Sequence, residues 1–259
     1  MNLRISGKRA LVTGSTAGIG LAIARHLAAE GAHVFINGRT AERVQDALKQ
    51  IEGTKTGIVA DLSTAEGCKT LFGALPQTDI LVNNLGIFET KPFLEIDDAD
   101  WIRFFETNVL SGVRVTRKYL PEMLKSRWGR VLFISSESAV NIPPEMVHYG
   151  MTKTAQVAIA RGIAESFPAS GVTINSVLVG PTDSEGVGAM FQKAAAEQGR
   201  DAEDVQQEFI REKRPSSLTQ RLETTDEIAS MVTYLCSATA SGTTGAAVRV
   251  EGGLLRSIL

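Results

Sequence analysis

Short apolar runs alternate with longer runs of mixed polarity from one end of the chain to the other. Arg9 to Val12 reads as a buried strand, followed by a Gly-rich turn and a helix from Ile19 to Ala29 that Gly31 closes. His33 to Ile36 is the next strand and Ala41 to Ile51 a polar helix. Further strands fall at Gly57 to Ala60, Asp79 to Val82, Arg130 to Ile134, Val172 to Val177 and Ala246 to Val250. Helices start at Thr64, lie within Asp97 to Lys125, and span Met146 to Phe167 and Thr225 to Leu235. Apolar runs without polar alternation mark strands covered on both faces. The pattern therefore predicts an α/β chain: a doubly wound, seven-stranded, mainly parallel sheet with helices on both faces. No linker, repeat or charge block divides residues 1–259, which read as a single domain. Asp183 to Ser217 breaks the rhythm as a polar, helix-prone insertion, and such segments commonly act as lids. Within it Gly186 and Gly188 are expected as hinges, with Met190, Phe191, Phe209 and Ile210 closing over a ligand.

Composition narrows the function by exclusion. A net charge of -2 over 259 residues gives no electrostatic case for nucleic acid or an anionic membrane. No stretch approaches the ~18 apolar residues of a membrane span, and the N-terminal residues do not read as a signal peptide, so a cytoplasmic protein is expected. Cys68 and Cys236 have no CxxC spacing and are expected to stay reduced. His26, His33 and His148 form no metal-ligand pattern, and no metal is expected.

Two stretches carry candidate chemistry. Thr13-Gly14-Ser15-Thr16-Ala17-Gly18-Ile19-Gly20 lies between the first strand and the first helix. Glycines there let the backbone approach a pyrophosphate, whose charge sits at the helix N-terminus. Tyr149 and Lys153 lie four apart, on one face of a helix. An ammonium one turn away is expected to lower the phenol's pKa and make Tyr149 a general acid or base, with Ser136 hydrogen-bonding the reacting oxygen. His148, beside the tyrosine, reads as a pocket-wall or surface histidine.

TGSTAGIG, then Asn83-Asn84-Leu85-Gly86, Asn108, Ser136, and Tyr149 with Lys153 resemble the short-chain dehydrogenase/reductase family, in order and over essentially the whole chain. The resemblance implies a Rossmann fold and a tetrad: Tyr149 as acid/base, Ser136 positioning the substrate oxygen, Lys153 holding the nicotinamide ribose, and Asn108 supporting a water relay to Lys153. It also implies cofactor contacts from Gly14, Ser15, Thr16, Gly18, Ile19, Gly20, Asn84, Gly86, Tyr149 and Lys153, and from Asp61 and Leu62 at the adenine. Ser63 and Glu66, at capping-box spacing, are expected to leave Asp61 free. Thr182 and Ser184 fall where members contact the carboxamide. Leu85 replaces the family's alanine, and Val179-Gly180-Pro181 shifts its Pro-Gly.

Cofactor choice is expected to lie at the end of the second strand, where NAD enzymes place a carboxylate. Asn37-Gly38-Arg39 offers none, and a guanidinium suits a 2′-phosphate, so NADP is expected over NAD. Gly38→Asp combined with Arg39→Ala is expected to weaken NADPH and improve NADH. The activity expected is hydride transfer between the nicotinamide and a carbonyl or secondary alcohol. Ile87, Phe88, Val140, Ile142 and Met146 suggest a mainly apolar substrate. A cofactor-binding regulator without turnover, and a lyase or epimerase on this fold, are the alternatives. The two long helices and the apolar tail Leu254 to Leu259 suggest a homotetramer with the tail at an interface, or else a tail folded back on its own subunit.

Overall fold

A computed structural model describes residues 2–258. In chain order the elements are β1 (Arg9–Val12), α1 (Gly18–Ala29), β2 (His33–Gly38), α2 (Ala41–Lys49), β3 (Lys55–Val59), α3 (Ala65–Ala74) and β4 (Ile80–Asn83). Then follow α4 (Asp98–Phe105), α5 (Ser111–Lys125), β5 (Gly129–Ser136), α6 (Val147–Ser166), β6 (Val172–Val179), β7 (Thr182–Asp183) and α7 (Glu185–Gln198). The chain ends with α8 (Ala202–Lys213), β8 (Glu223–Thr224), α9 (Thr225–Leu235) and β9 (Ala247–Val250). The strands order β3-β2-β1-β4-β5-β6-β9 in one seven-stranded sheet. Every pair in it is parallel.

Period-two alternation along the strands divides the core into two layers. Ala10 and Val12 of β1 join a cluster with Ile23 and Leu27 of α1, Val44 of α2 and Val232 of α9. Leu11 between them faces the other way, with Leu71 of α3, Val115 and Tyr119 of α5 and Ala160 of α6. Both faces are thus covered, which is why the strands read as unbroken apolar runs. Val12 lies between Ile36 of β2 and Val82 of β4. The strand order reverses at β1 and β4, and their carboxyl ends open a crevice, the usual ligand position in such sheets.

Several local expectations change. The cap of α3 is Thr64, which accepts from Gly67 N, while Ser63 bonds Asp61 instead. The Ser63–Glu66 capping box therefore does not form, because the helix begins one residue later; a full box occurs at Thr224 and Glu227 of α9. The long run from Asp97 is α4 and α5 joined without a break by a π-turn, Glu106–Leu110.

The insertion folds as the α7–α8 hairpin with a small core of its own, Phe191, Ala195, Val205, Ile210 and Leu222. Phe191 meets Phe209 edge-on inside it. These side chains cover one another, and Gly186 and Gly188 lie within α7, so neither set takes the expected hinge and closure roles in this arrangement. A two-stranded parallel pair, β7 with β8, joins the two ends of the insertion to each other and had no legible sequence signal.

The tail is also corrected in part. Leu254 and Leu255 fold back onto Leu178 and Val157 of the same chain. Glu251 accepts from both of their N–H groups, and Ser216 donates to Leu254 O. Ile258 is exposed, and Leu259 lies outside the described residues.

Candidate active site

The Gly-rich turn is shaped by what it cannot hold. Gly14 and Gly18 have φ of +59° and +52°, a region side chains rarely adopt. A Cβ on Gly20 would lie 2.5 Å from Asn84 Nδ2 and 2.7 Å from Gly14 O. Asn84 donates from that amide to Thr13 O and Gly14 O, locking the turn to the end of β4. Ser15, by contrast, is fully buried: its hydroxyl donates to Val12 O and accepts from Asn37 N, so it braces β1 against β2 rather than facing the crevice.

The crevice fits a dinucleotide. Ala17 at the cap of α1 offers no side-chain acceptor, and the first turn holds no acidic residue, which leaves its N–H groups for an anion. The cleft has a volume of ≈ 750 Å³. Its walls include Gly14, Thr16, Gly18, Ile19, Gly20, Arg39, Asp61, Leu62, Asn84, Gly86 and Ser184. A larger surface cavity, ≈ 820 Å³ beside Arg25, His26 and Ser230, shares no residue with the tetrad.

At the β2 end, Arg39 faces the cleft and Gly38 has no room for a side chain, since a Cβ would overlap the Thr16 methyl. An aspartate there would push the turn apart, so the simple conversion by Gly38→Asp is withdrawn on steric grounds. Asn37 is occupied within the fold, donating to Ile58 O and Ala60 O. Asp61 accepts from Ser63 N at 3.1 Å and Ser63 Oγ at 2.7 Å through Oδ1, so it is only half free. Leu85 lies over Gly14, its Cδ1 3.3 Å from where a Cβ would be. Thr182 is buried and donates to Gly180 O, whereas Ser184 caps α7 and lines the cleft.

The tetrad gathers at the Gly86 end. Asn108 sits in the π-turn, a wide turn often found at functional positions. Its Oδ1 accepts from Ile87 N at 2.8 Å, and its Nδ2 donates to Ile87 O and to Thr152 Oγ1, both at 3.0 Å. The side chain thus pins the loop after β4 to α6, and the Asn108 backbone carbonyl accepts from Gln156 Nε2. Lys153 is 5 % exposed and its Nζ donates to Ile134 O at 2.9 Å. A Cβ on Gly86 would stand 3.6 Å from that Nζ, so glycine keeps the approach to the ammonium open.

The Ser136 hydroxyl is within hydrogen-bonding reach of the Tyr149 phenol. The expected lowering of that phenol's pKa does not appear here. Burial pushes it up to about 12, against the smaller downward pull of Ser136. Burial also pulls Lys153 down to about 8. The ammonium lies 5.4 Å from the Tyr149 ring centroid and gives its hydrogen bond to Ile134 O, so desolvation prevails. Burial thus favours the protonated phenol of Tyr149 at neutral pH.

Two features beside the tetrad were not anticipated. Glu137, next to Ser136, is 2 % exposed and pairs at 3.0 Å with Arg214, 8 % exposed, at the end of α8. Burial raises the Glu137 pKa even so, and its Oε2 is buried without a partner among the described residues. No periodicity marks such a pair, because its members lie 77 residues apart. His148 is wholly buried and tilted against Phe104 with ring centroids 4.0 Å apart, and burial pulls its pKa below the usual imidazole value. It is therefore not a surface residue, and neither ring nitrogen has a hydrogen-bond partner among the described residues.

A crevice at the switch point of a parallel sheet, with Lys153 approaching its Gly86 edge and Tyr149 beside that lysine, fits a nicotinamide-dependent dehydrogenase or reductase. Comparison with known proteins agrees: residues 8–195 match the family model described as short chain dehydrogenase, and the chain belongs to that family. The uncharacterized oxidoreductase YvaG of Bacillus subtilis (strain 168) is 47% identical, with 100% of both chains covered. The 3-oxoacyl-[acyl-carrier-protein] reductase FabG of Aquifex aeolicus (strain VF5) is 30% identical over 98% of this chain and 100% of its own. Among solved structures, L-sorbose reductase from Gluconobacter frateurii, complexed with NADPH and L-sorbose, superposes with a TM-score of 0.93 at 27% identity, with 100% of both chains covered. No helix among the described residues is long and apolar enough to cross a membrane.

Proposed function

We propose that this enzyme interconverts a carbonyl and a secondary alcohol with NADP(H), using Tyr149 as its general acid and base. The observation that supports the reading is the chain of contacts from the cleft to the phenol: Lys153 approaches Gly86 in the cleft wall, its ammonium lies 5.4 Å from the Tyr149 ring centroid, and Ser136 sits beside that phenol. The bound nicotinamide supplies or accepts the hydride. Ser136 orients the substrate oxygen and Tyr149 donates the proton to it in reduction. Lys153, held in place by Ile134 O, is positioned for the ribose near Gly86. Asn108 fixes the Ile87 loop that forms this wall.

Arg39 and the lack of a carboxylate at Asn37 or Gly38 favour the 2′-phosphate of NADP, and L-sorbose reductase is complexed with NADPH. Dissociation constants from nucleotide titration test this. Wild type should bind NADPH more tightly than NADH, and Arg39→Ala should erase roughly tenfold of that preference, the size of a charge-assisted hydrogen bond. A wild type that prefers NADH rejects the NADP assignment.

For substrate, Phe88, Val140 and Ile142 present exposed apolar surface near the catalytic loop, which supports an apolar-walled entrance. Turnover across a panel of ketones, alcohols and ketoses, followed by NADPH absorbance, tests the class, and binding without turnover would favour a regulator. We further expect a cytoplasmic homotetramer built on the long α4–α5 and α6 helices. Light scattering at micromolar concentration checks it: a monomer rejects the assembly. Because Leu254 and Leu255 are already buried within their own chain, deleting residues 254–259 should destabilise the subunit as well.

A further inference from the structure

The α7–α8 hairpin is tied to α2 across the cleft by an ion pair. Arg43, in the first turn of α2, donates from Nη2 to Glu185 Oε1 at 3.0 Å and Oε2 at 3.2 Å. Glu185 is the first residue of α7, so the bridge joins positions 142 residues apart. Both side chains are more than half exposed, and both line the same cleft as Arg39. Arg103, the other guanidinium on that wall, is already held by Asp100 and Glu89. Beside the bridge, Gly186 packs against the Phe88 ring, so the first turn of α7 also covers the apolar entrance.

An exposed carboxylate–guanidinium pair contributes little stability and exchanges readily. A phosphate dianion brings three acceptor oxygens and more charge to the same guanidinium, and a planar arginine fork suits it. We propose that Glu185 and the 2′-phosphate of NADP compete for Arg43, so that arrival of the phosphate releases the first turn of α7 from α2. The inference rests on the NADP reading above and adds a coupling to it. Arg43 then serves as a second phosphate partner beside Arg39, supplied from α2 where the Gly-rich turn has only Ala17. Glu185 acts against the phosphate until it lets go. Release of the first turn also frees Gly186 from the Phe88 ring.

The test uses the intact protein without substrate and two probes, adenosine 2′,5′-bisphosphate and adenosine 5′-monophosphate. Calorimetry gives their affinities and amide exchange follows the first turn of α7. In wild type, exchange there should rise with the bisphosphate and stay unchanged with the monophosphate. Glu185→Gln should bind the bisphosphate roughly twofold to fivefold more tightly, the range of one exposed ion pair, without altering the monophosphate. Arg43→Met should weaken the bisphosphate roughly tenfold or more. Both variants should show the fast exchange of α7 before any probe is added. If wild type prefers the bisphosphate but Glu185→Gln changes neither affinity nor exchange, the competition is overturned and the NADP reading stands. If wild type does not distinguish the probes, that reading has failed and the competition with it.

Discussion

Tyr149→Phe should lose between about 10² and 10⁴ of kcat while cofactor affinity and folding stay near wild type, because only the proton-transfer group is removed. The ring keeps its packing and the lysine keeps Ile134 O as its partner. Burial pushes the phenol up to about 12 in the free enzyme, so on the proposed mechanism Tyr149 enters reduction protonated. Steady-state rates with saturating NADPH check this. A variant retaining more than half the wild-type rate would assign the proton to another donor, and His148, wholly buried with its pKa lowered by burial, is poorly placed to supply it.

Arg214→Ala should be the most destabilising single change near the site. It leaves the Glu137 carboxylate buried with only Ser138 Oγ to donate to it, and stranding one member of a buried pair typically costs about 3–5 kcal/mol. For a chain of this size that corresponds to a fall in Tm of roughly 6–20 °C. The loss should depend on pH in a defined direction. Glu137 already has a raised pKa in the folded protein, and removing its cation raises it further. A carboxyl whose folded pKa exceeds its unfolded one stabilises below the unfolded value and loses that contribution as pH rises through the folded value. The deficit of Arg214→Ala should therefore shrink toward acid pH and be full at neutral pH. The pair Glu137→Gln with Arg214→Met should recover most of the stability. Melting curves at fixed protein concentration decide it: a loss under about 1 kcal/mol would mean the carboxylate is not stranded.

The scaffold was legible because each strand is covered on both faces. Runs such as Arg130 to Ile134 and Val172 to Val177 have few other readings, and Thr225 to Leu235 matches α9 at both ends. The tetrad was legible through family motifs, since Tyr149 and Lys153 alone are only a helical spacing. Geometry supplied what spacing cannot. Ser15 lies in the glycine motif yet faces the sheet, because its hydroxyl bridges Val12 and Asn37. Gly38 is glycine because Thr16 occupies the space beside it. The direction of the tyrosine shift reversed because sequence shows which charges are near but not how deeply both groups are buried. The two bridges to the α7–α8 hairpin, Arg43 with Glu185 and Arg214 with Glu137, join residues so distant in the chain that no local pattern announces them.

The private core of the α7–α8 hairpin bears on how this lineage diversifies. Phe191, Ala195, Val205, Ile210 and Leu222 pack on one another rather than on the sheet, and the family model's match ends at residue 195, inside that hairpin. Substitutions inside that core are felt first within the hairpin, whereas a change at Arg214 reaches Glu137 beside Ser136 directly. A segment transplanted here must therefore still satisfy two attachment points, Arg43 through Glu185 and Glu137 through Arg214.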